Sequence, residues 1–236
     1  MFADVPTTRW TQIRAAKGSA EKQRELWDDV FRVYWRPLFY MARARGASPS
    51  AAEDAIQSFA EKALCSALLE RADESRGRLR SYLATSFANH LATLHQHAGA
   101  EKRGGGARHV DIDGFDLNAC DLKVSVAHDA DPLTAFERSW AESTAAEARR
   151  LLYAEHVAER RAGDIVLLQA YLEGTPLPSL AELAQKNALS VAFLKSFFYR
   201  GKQRYRELIR VVVADTLGPG ETADEEVAHV FRWLLA

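Results

Sequence analysis

Apolar residues recur at helical spacing along most of the chain, and this pattern constrains the fold more than any other feature. Runs of β-branched residues are few, whereas alanine, leucine, glutamate and arginine are frequent. Within residues 19–45 the apolar positions follow one another three or four residues apart, as one face of a helix requires. They are Leu26, Val30, Tyr34, Leu38 and Met41. The spacing predicts an all-α protein.

Further helices are predicted where the same spacing returns, and proline and glycine mark several of their ends. Pro37 is expected to kink the first helix or to start a fresh one, and Gly46 to end it. Ser48 and Pro49 then form a helix start, with serine as the N-cap and proline in the first turn. The predicted helices span residues 49–70, 78–96, 133–157, 164–173, 179–187, 191–213 and 224–235.

The helical pattern breaks in residues 99–132, which hold five glycines and seven aspartates or glutamates. A stretch of this length without helical spacing is typical of a tether between domains. We therefore predict two small helical domains, at residues 8–98 and 133–213, joined by a linker at 99–132. A tail helix is expected in residues 214–236.

The net charge of −1 conceals an uneven distribution of charge along the chain. Residues 1–108 hold 17 basic and 12 acidic side chains, residues 109–178 hold 6 and 13, and residues 179–236 hold 8 and 7. Within residues 195–210, six Lys or Arg accompany one Glu. Two basic blocks around an acidic middle favour two surfaces that meet a polyanion, although solvated helix faces produce the same pattern.

Several classes of protein are not indicated by this sequence. No apolar run approaches the length of a membrane-spanning helix, so none is expected. The first residues lack the charged start and apolar core of a secretory signal, and Cys65 and Cys120 suit a reducing compartment, so we expect a cytoplasmic location. Phosphate-loop, metal-ligand and nucleophile motifs are absent from the sequence. We therefore expect no catalytic residues, no metal site and no cofactor.

The C-terminal part carries a more specific pattern. Ser179 and Glu182 have the spacing of a capping box at the start of a short helix. A turn at residues 188–190 follows, and Ser190 is placed to cap a second helix, which is basic. Helix, tight turn and basic helix together are typical of the helix-turn-helix of DNA-binding proteins.

In a helical projection, the second helix has one apolar side and two basic flanks. The side that we expect to be buried comprises Leu194, Phe197, Phe198, Gly201, Tyr205, Leu208 and Ile209. Such a helix can lie in the major groove with basic side chains directed at phosphates on both sides. The side chains expected to contact duplex DNA are Ser190, Lys195, Ser196, Tyr199, Arg200, Lys202, Arg204 and Arg206. An ordinary solvated amphipathic helix is the alternative interpretation.

A motif in the N-terminal part resembles that of a known family. AEDAIQSF, at residues 52–59, is similar to the A-E-D-x-x-Q-x-x-F pattern of extracytoplasmic-function sigma factors, the promoter-specificity subunits of bacterial RNA polymerase. Its phenylalanine comes two residues after Gln57, where the family pattern has three. Other stretches resemble one branch of that family in the same order along nearly the whole chain: TRW, YWRPLF, RGRLRSYL, Asn89, EKRGGG, FERSW and KQRYRELIR.

The resemblance implies which partners the two domains have. The first domain is expected to bind core RNA polymerase and the downstream promoter element, and the second to bind the upstream element of promoter DNA. Asp54, Gln57 and Glu61 are then the contacts to polymerase, on a helix face opposite the apolar stripe. The tail helix is expected to pack on a domain or to accept a regulator such as an anti-sigma factor.

The resemblance also assigns single-stranded DNA to the third helix of the first domain. Arg78 and Arg80 are expected to contact phosphates. Asn89 matches an asparagine of the family and lies on the face of this helix that is expected to be exposed. Tyr82 and Phe87 match positions where bases stack, although both also fit the apolar core.

The chain departs from the family at several positions. After Asn89 the sequence HLATLHQHAGA lacks the usual cluster of acidic and basic residues, and its three histidines are mostly neutral at pH 7. Ala188 stands at the turn where the family often has glycine, and Val191 replaces a frequently polar residue at the start of the reading helix. Gly201 replaces a larger apolar residue in mid-helix, where glycine costs roughly 1 kcal/mol relative to alanine.

Three other functions stay open from the sequence. The weakened cluster after Asn89 suits an adaptor that binds polymerase without melting promoters. The C-terminal pattern alone suits a helix-turn-helix regulator that acts independently of polymerase. A helical module that binds only proteins is the third, and its contact with DNA would be absent or insensitive to salt.

Overall fold

The structure is a computed structural model of the 236-residue chain. It describes residues 9–16, 18–65, 68, 72, 75, 77–101, 131–158, 162–214, 216–218 and 220–235. Most of the predicted linker, at residues 102–130, lies outside the described residues, as does Cys120.

The described residues form nine α-helices with their connections and contain no strand, which confirms the predicted all-α fold for this part of the chain. The helices are α1 Arg9–Ala16, α2 Ala20–Ala44, α3 Pro49–Cys65, α4 Leu79–Glu101, α5 Pro132–Ala158, α6 Ala162–Leu172, α7 Leu180–Lys186, α8 Val191–Ala214 and α9 Ala223–Leu234.

Contacts within the chain divide it into two units, Met1–Trp140 and Ala141–Ala236. The division falls within α5, so that the FERSW stretch at residues 136–140 belongs to the first unit. The sequence pattern had placed the start of the second domain earlier, at residue 133.

The ends of α2 follow the signals in the sequence. Ser19 caps the helix by accepting a hydrogen bond from the backbone N–H of Lys22 at 3.4 Å. Gly46, just after the helix, has a φ of 87°, a left-handed conformation in which glycine carries no steric penalty. Pro37 lies inside α2, which continues through it as one helix, so the fresh start is not found.

The start of α3 is as predicted, but its end is not. The hydroxyl oxygen of Ser48 accepts a hydrogen bond from the N–H of Ala51 at 3.1 Å, which caps the helix. Leu68 lies in a turn, so α3 ends before residue 70.

Aromatic rings join α2, α3 and α4 in the core of the first unit. The ring of Phe59 lies edge-on to Trp27, with the centroids 6.3 Å apart, and to Phe87, with the centroids 5.2 Å apart. All three side chains are buried. Burial of these rings, together with their edge-on contacts, stabilises the unit.

The first turns of α5 complete this core. Phe136 stacks on Tyr34 of α2 with 6.5 Å between ring centroids, and both side chains are buried. Trp140 is buried as well, beneath the guanidinium of Arg80. The FERSW stretch therefore stabilises the unit that contains α2, α3 and α4.

The second unit is built around α8. Its buried residues include all seven that the helical projection predicted, together with Val213. α6, α7 and α9 each contact α8. Val230 of the tail helix α9 is fully buried, so the tail packs within this unit, which is one of the two outcomes expected for it.

Among the described helices, none combines the length and the apolar character needed to cross a membrane.

Candidate nucleic-acid interface

The turn between α7 and α8 is held by side-chain caps on both sides. Ser179 Oγ accepts a hydrogen bond from the N–H of Glu182 at 3.2 Å, and the carboxylate of Glu182 accepts one from the N–H of Ser179 at 2.8 Å. The hydrogen bonds from Ser179 lower the pKa of Glu182. Ser190 Oγ accepts from the N–H of Phe193 at 3.0 Å and so caps α8. Both caps were predicted from residue spacing.

Ala188 reverses the chain between α7 and α8 through its backbone conformation. Its φ of 52° is the left-handed conformation, which costs an alanine roughly 1–2 kcal/mol. The next residue, Leu189, donates its N–H to the carbonyl of Ala184 at 2.9 Å and thereby closes the end of α7. This cost was predicted from the sequence, because Ala188 stands where the family that the chain resembles often has glycine, which adopts this conformation without a penalty.

One exposed face of α8 carries cationic and aromatic side chains, and we call it the basic face. It comprises Lys195, Tyr199, Lys202 and Arg206, all of which are exposed. Tyr199 is 65% exposed, so its ring does not belong to the core. No hydrogen bond or ion pair to another described residue engages these four side chains. The basic face therefore presents donors and positive charge to solvent.

The opposite flank of α8 is engaged within the unit. Arg204 donates to the carboxylate of Glu155 on α5 at 2.7 and 3.0 Å, and to Glu207 at 2.8 Å. Arg200 donates to the hydroxyl of Ser196 at 2.8 Å. The two predicted basic flanks therefore differ: Arg204 is paired with two carboxylates and Arg200 with a hydroxyl, whereas the four side chains of the basic face have no such partner among the described residues.

Gly201 lies where α6 crosses closest to α8. A Cβ atom built on Gly201 would lie 2.4 Å from Cδ1 of Leu168, which is shorter than any normal carbon–carbon contact. Leu168 is fully buried. Gly201 therefore permits the approach of α6, and this explains a glycine that sequence reasoning left without a role.

The tail helix α9 lies along the C-terminal end of α8. Arg210 forms an ion pair with Asp224, which lies in the acidic first turn of α9. A groove of about 530 Å³ lies between the two helices, with Arg206 and Arg210 on one wall and Phe231 on the other. The tail helix therefore lies beside the C-terminal half of α8, where Arg206 is still exposed.

The predicted polymerase contacts lie together on α3. Asp54, Gln57 and Glu61 are all exposed, and Gln57 Nε2 donates a hydrogen bond to the carboxylate of Glu61 at 3.2 Å. Asp54 also lines a groove of about 980 Å³, which Arg45 and other residues of α2, α3 and α4 border. The three side chains thus form one polar surface opposite the buried side of α3.

The predicted single-strand contacts, Arg78 just before α4 and Arg80 and Asn89 on it, differ in burial. Arg80 is only 3% exposed, its Nε lies 3.5 Å from the carboxylate of Glu137, and its guanidinium carbon lies 4.6 Å from the centre of the Trp140 ring. Its burial does not favour a contact with phosphate. Arg78 is partly buried, whereas Asn89 is exposed as expected.

The two aromatic candidates on the same helix differ in burial. Phe87 is fully buried, whereas Tyr82 is partly buried and its hydroxyl donates to the carbonyl of Leu68 at 2.8 Å. The core role that the apolar stripe allows for both residues is therefore confirmed for Phe87.

Within the described residues, no group of three or more His, Cys, Asp or Glu is placed to hold a metal ion. Each unit thus carries one candidate binding surface: the α3 face, formed by Asp54, Gln57 and Glu61, in the first unit, and the basic face of α8 in the second. No protein-family model, curated protein sequence or solved structure matches the chain.

Proposed function

We propose that the chain is a sigma factor of the extracytoplasmic-function type, which directs bacterial RNA polymerase to specific promoters. The observation that carries the proposal is the basic face of α8, which follows a capped turn and the short helix α7. In the proposal α7 and α8 form a helix-turn-helix, with α8 in the major groove of the upstream promoter element. Lys195, Lys202 and Arg206 then contact phosphates.

The α3 face supports the second half of the proposal, which is the contact with core polymerase. Asp54, Gln57 and Glu61 are exposed on one side of α3, where the resemblance assigns the polymerase contact. A sigma factor needs two such surfaces, because it positions polymerase on DNA and leaves the chemistry to the polymerase. The cytoplasm is the compartment that this function requires.

An adaptor that binds polymerase without melting promoters is the second candidate, and two observations on α4 favour it. Arg80 is buried against Glu137 and Trp140. His90 is buried against Ser58, and burial followed by the charge of Lys62 lowers its pKa, so it is neutral at pH 7. Arg80 and His90 therefore contribute no positive charge to the surface of α4 that would bind single-stranded DNA.

Transcription reconstituted from purified components tests the proposal. Core polymerase with the full chain is expected to start transcripts at defined sites on genomic fragments, whereas core polymerase alone does not. Asp54→Ala and Gln57→Ala are each expected to weaken the complex with core polymerase about tenfold. Asp28→Ala, which removes another exposed acid, on α2, is the matched control and should leave binding unchanged.

The other functions predict different results in the same experiment. Binding to core polymerase without any initiated transcript would support the adaptor. Salt-sensitive binding to selected duplexes that never involves polymerase would support an independent helix-turn-helix regulator. Binding to proteins with no affinity for DNA would refute the DNA-binding half of the proposal.

A further inference from the structure

The exposed tip of α8 is apolar, unlike the rest of its exposed face. The hydroxyl oxygen of Ser190 accepts a hydrogen bond from the N–H of Phe193 at 3.0 Å, so Ser190 acts as the N-cap of α8. The two residues that follow, Val191 and Ala192, are exposed and carry no polar side-chain atom. Val191 is 37% exposed, and it is the larger of the two. The first polar side chains beyond the cap are those of Lys195 and Ser196.

Val191 shares a helix face with the cations. It precedes Lys195 by four residues and Tyr199 by eight, so the three side chains stack along one side of α8. Phe193 lies on a different side, because its ring is parallel to that of Phe197 with the centroids 6.2 Å apart. Val191 therefore lies next to the N-terminal end of the basic face, on the same side of α8, whereas Phe193 lies on another side.

The proposed docking of α8 places this tip against base edges. In helix-turn-helix proteins the N-terminal residues of the second helix reach the base pairs, while phosphates lie to either side. The base edges in the major groove are hydrogen-bond donors and acceptors, with one apolar exception, the C5-methyl group of thymine. A valine that faced a donor or acceptor would leave it unpaired and dehydrated, at a cost in affinity.

We propose that the chain reads a C5-methyl pyrimidine, normally thymine, through an apolar contact with Val191. The inference rests on the proposed function, because it requires α8 to lie in the major groove. In this proposal a side chain that cannot form a hydrogen bond discriminates between bases. Lys195, Lys202 and Arg206 contact the phosphates of the DNA backbone. Val191 is then a specificity-determining residue.

Single-atom changes in the DNA test this proposal. Holoenzyme assembled from core polymerase and the full chain is used to select duplexes from a random library, and each thymine of the selected site is replaced in turn by deoxyuridine. This replacement removes only the methyl group. At one position we expect binding to weaken about fourfold, the effect of losing one buried methyl. At that position 5-methylcytosine should bind more tightly than cytosine.

Variants of the protein assign the effect to Val191. Val191→Ser is expected to bind thymine and deoxyuridine sites equally, whereas Val191→Thr, which keeps one methyl group, retains part of the difference. Val166→Ser is the matched control, because Val166 is an exposed valine on α6 with 68% of its surface accessible. It should discriminate as the unchanged chain does. Circular dichroism of each variant verifies that the helices are intact.

The possible failures are distinguishable. If sites are selected but no deoxyuridine weakens binding, or if Val191→Ser still discriminates, the Val191 contact is refuted and the sigma-factor proposal stands. If no sequence is selected by holoenzyme, the proposed function and the Val191 contact are both overturned.

Discussion

Arg204 on α8 donates two hydrogen bonds to the carboxylate of Glu155 on α5, at 2.7 and 3.0 Å, and thereby ties the two helices together. These bonds lower the pKa of Glu155 and raise that of Arg204, so both groups are charged in the folded unit. Arg206, only two residues later, is exposed and has no such partner among the described residues. Two neighbouring arginines of one helix thus have different surroundings.

Arg204→Ala and Arg206→Ala are expected to separate stability from DNA binding. Arg204→Ala should lower the free energy of unfolding by roughly 0.5–1 kcal/mol, since the ion pair is partly exposed and screened by solvent. Arg206→Ala should leave stability unchanged, weaken DNA binding, and reduce the slope of log affinity against log salt by about 1. Urea unfolding and binding titrations at several salt concentrations measure the two effects. Equal effects of both variants on the salt slope would contradict this division.

Gly201→Ala is expected to destabilise the second unit although alanine favours helix. The added methyl would lie 2.4 Å from Leu168 Cδ1, so the side chain of Leu168, which is fully buried, would have to shift against its packed neighbours. Overpacking of this kind costs about 1–3 kcal/mol, and the gain in helix propensity offsets about 1 kcal/mol of it. We expect a net loss of about 1 kcal/mol in the free energy of unfolding.

A double-mutant cycle verifies the cause of that loss. In a Leu168→Ala background the obstruction is absent, so Gly201→Ala should become neutral or stabilising by up to about 1 kcal/mol. If Gly201→Ala costs the same with and without Leu168, the close approach of α6 is not the reason for the glycine.

Features that depend on neighbours in sequence were predictable, and those that depend on distant partners were not. The caps at Ser179 and Ser190 follow from a spacing of three residues, and the buried side of α8 follows from helical periodicity. Gly201 was recognised as unusual, but its explanation required the position of Leu168. A glycine in the middle of a helix's apolar stripe is itself a signal of close approach by a neighbouring element.

Charge at a sequence position likewise did not reveal which cations have an acidic partner. From the sequence alone, Arg80 and Arg204 are both expected to be exposed and unpaired, because charged residues are rarely buried without a partner. Their partners, Glu137 and Glu155, are distant along the chain and become visible only in the folded units. The cations of the basic face are exposed, and no acidic side chain among the described residues pairs with them.

His90 connects α3 and α4 inside the first unit. Its Nε2 lies 2.8 Å from Ser58 Oγ, and its ring lies 5.7 Å from that of Phe59. Burial lowers the pKa of His90 below 6.5, and the positive charge of Lys62 on α3 lowers it further. The imidazole is therefore neutral in the folded unit at a pH where the unfolded chain begins to take up a proton.

Acidification is accordingly expected to destabilise the first unit through His90. Below pH 6.5 the unfolded chain binds a proton that the folded unit does not, so stability falls with pH until the folded pKa is passed. The slope from this one group is at most about 1.4 kcal/mol per pH unit. His90→Gln should reduce the loss in unfolding free energy between pH 7.5 and 5.5, measured with urea, whereas His95→Gln, which alters an exposed histidine of α4, should not. An unchanged pH dependence in His90→Gln would mean that His90 is protonated equally in both states, and that its burial beside Lys62 does not favour the neutral ring.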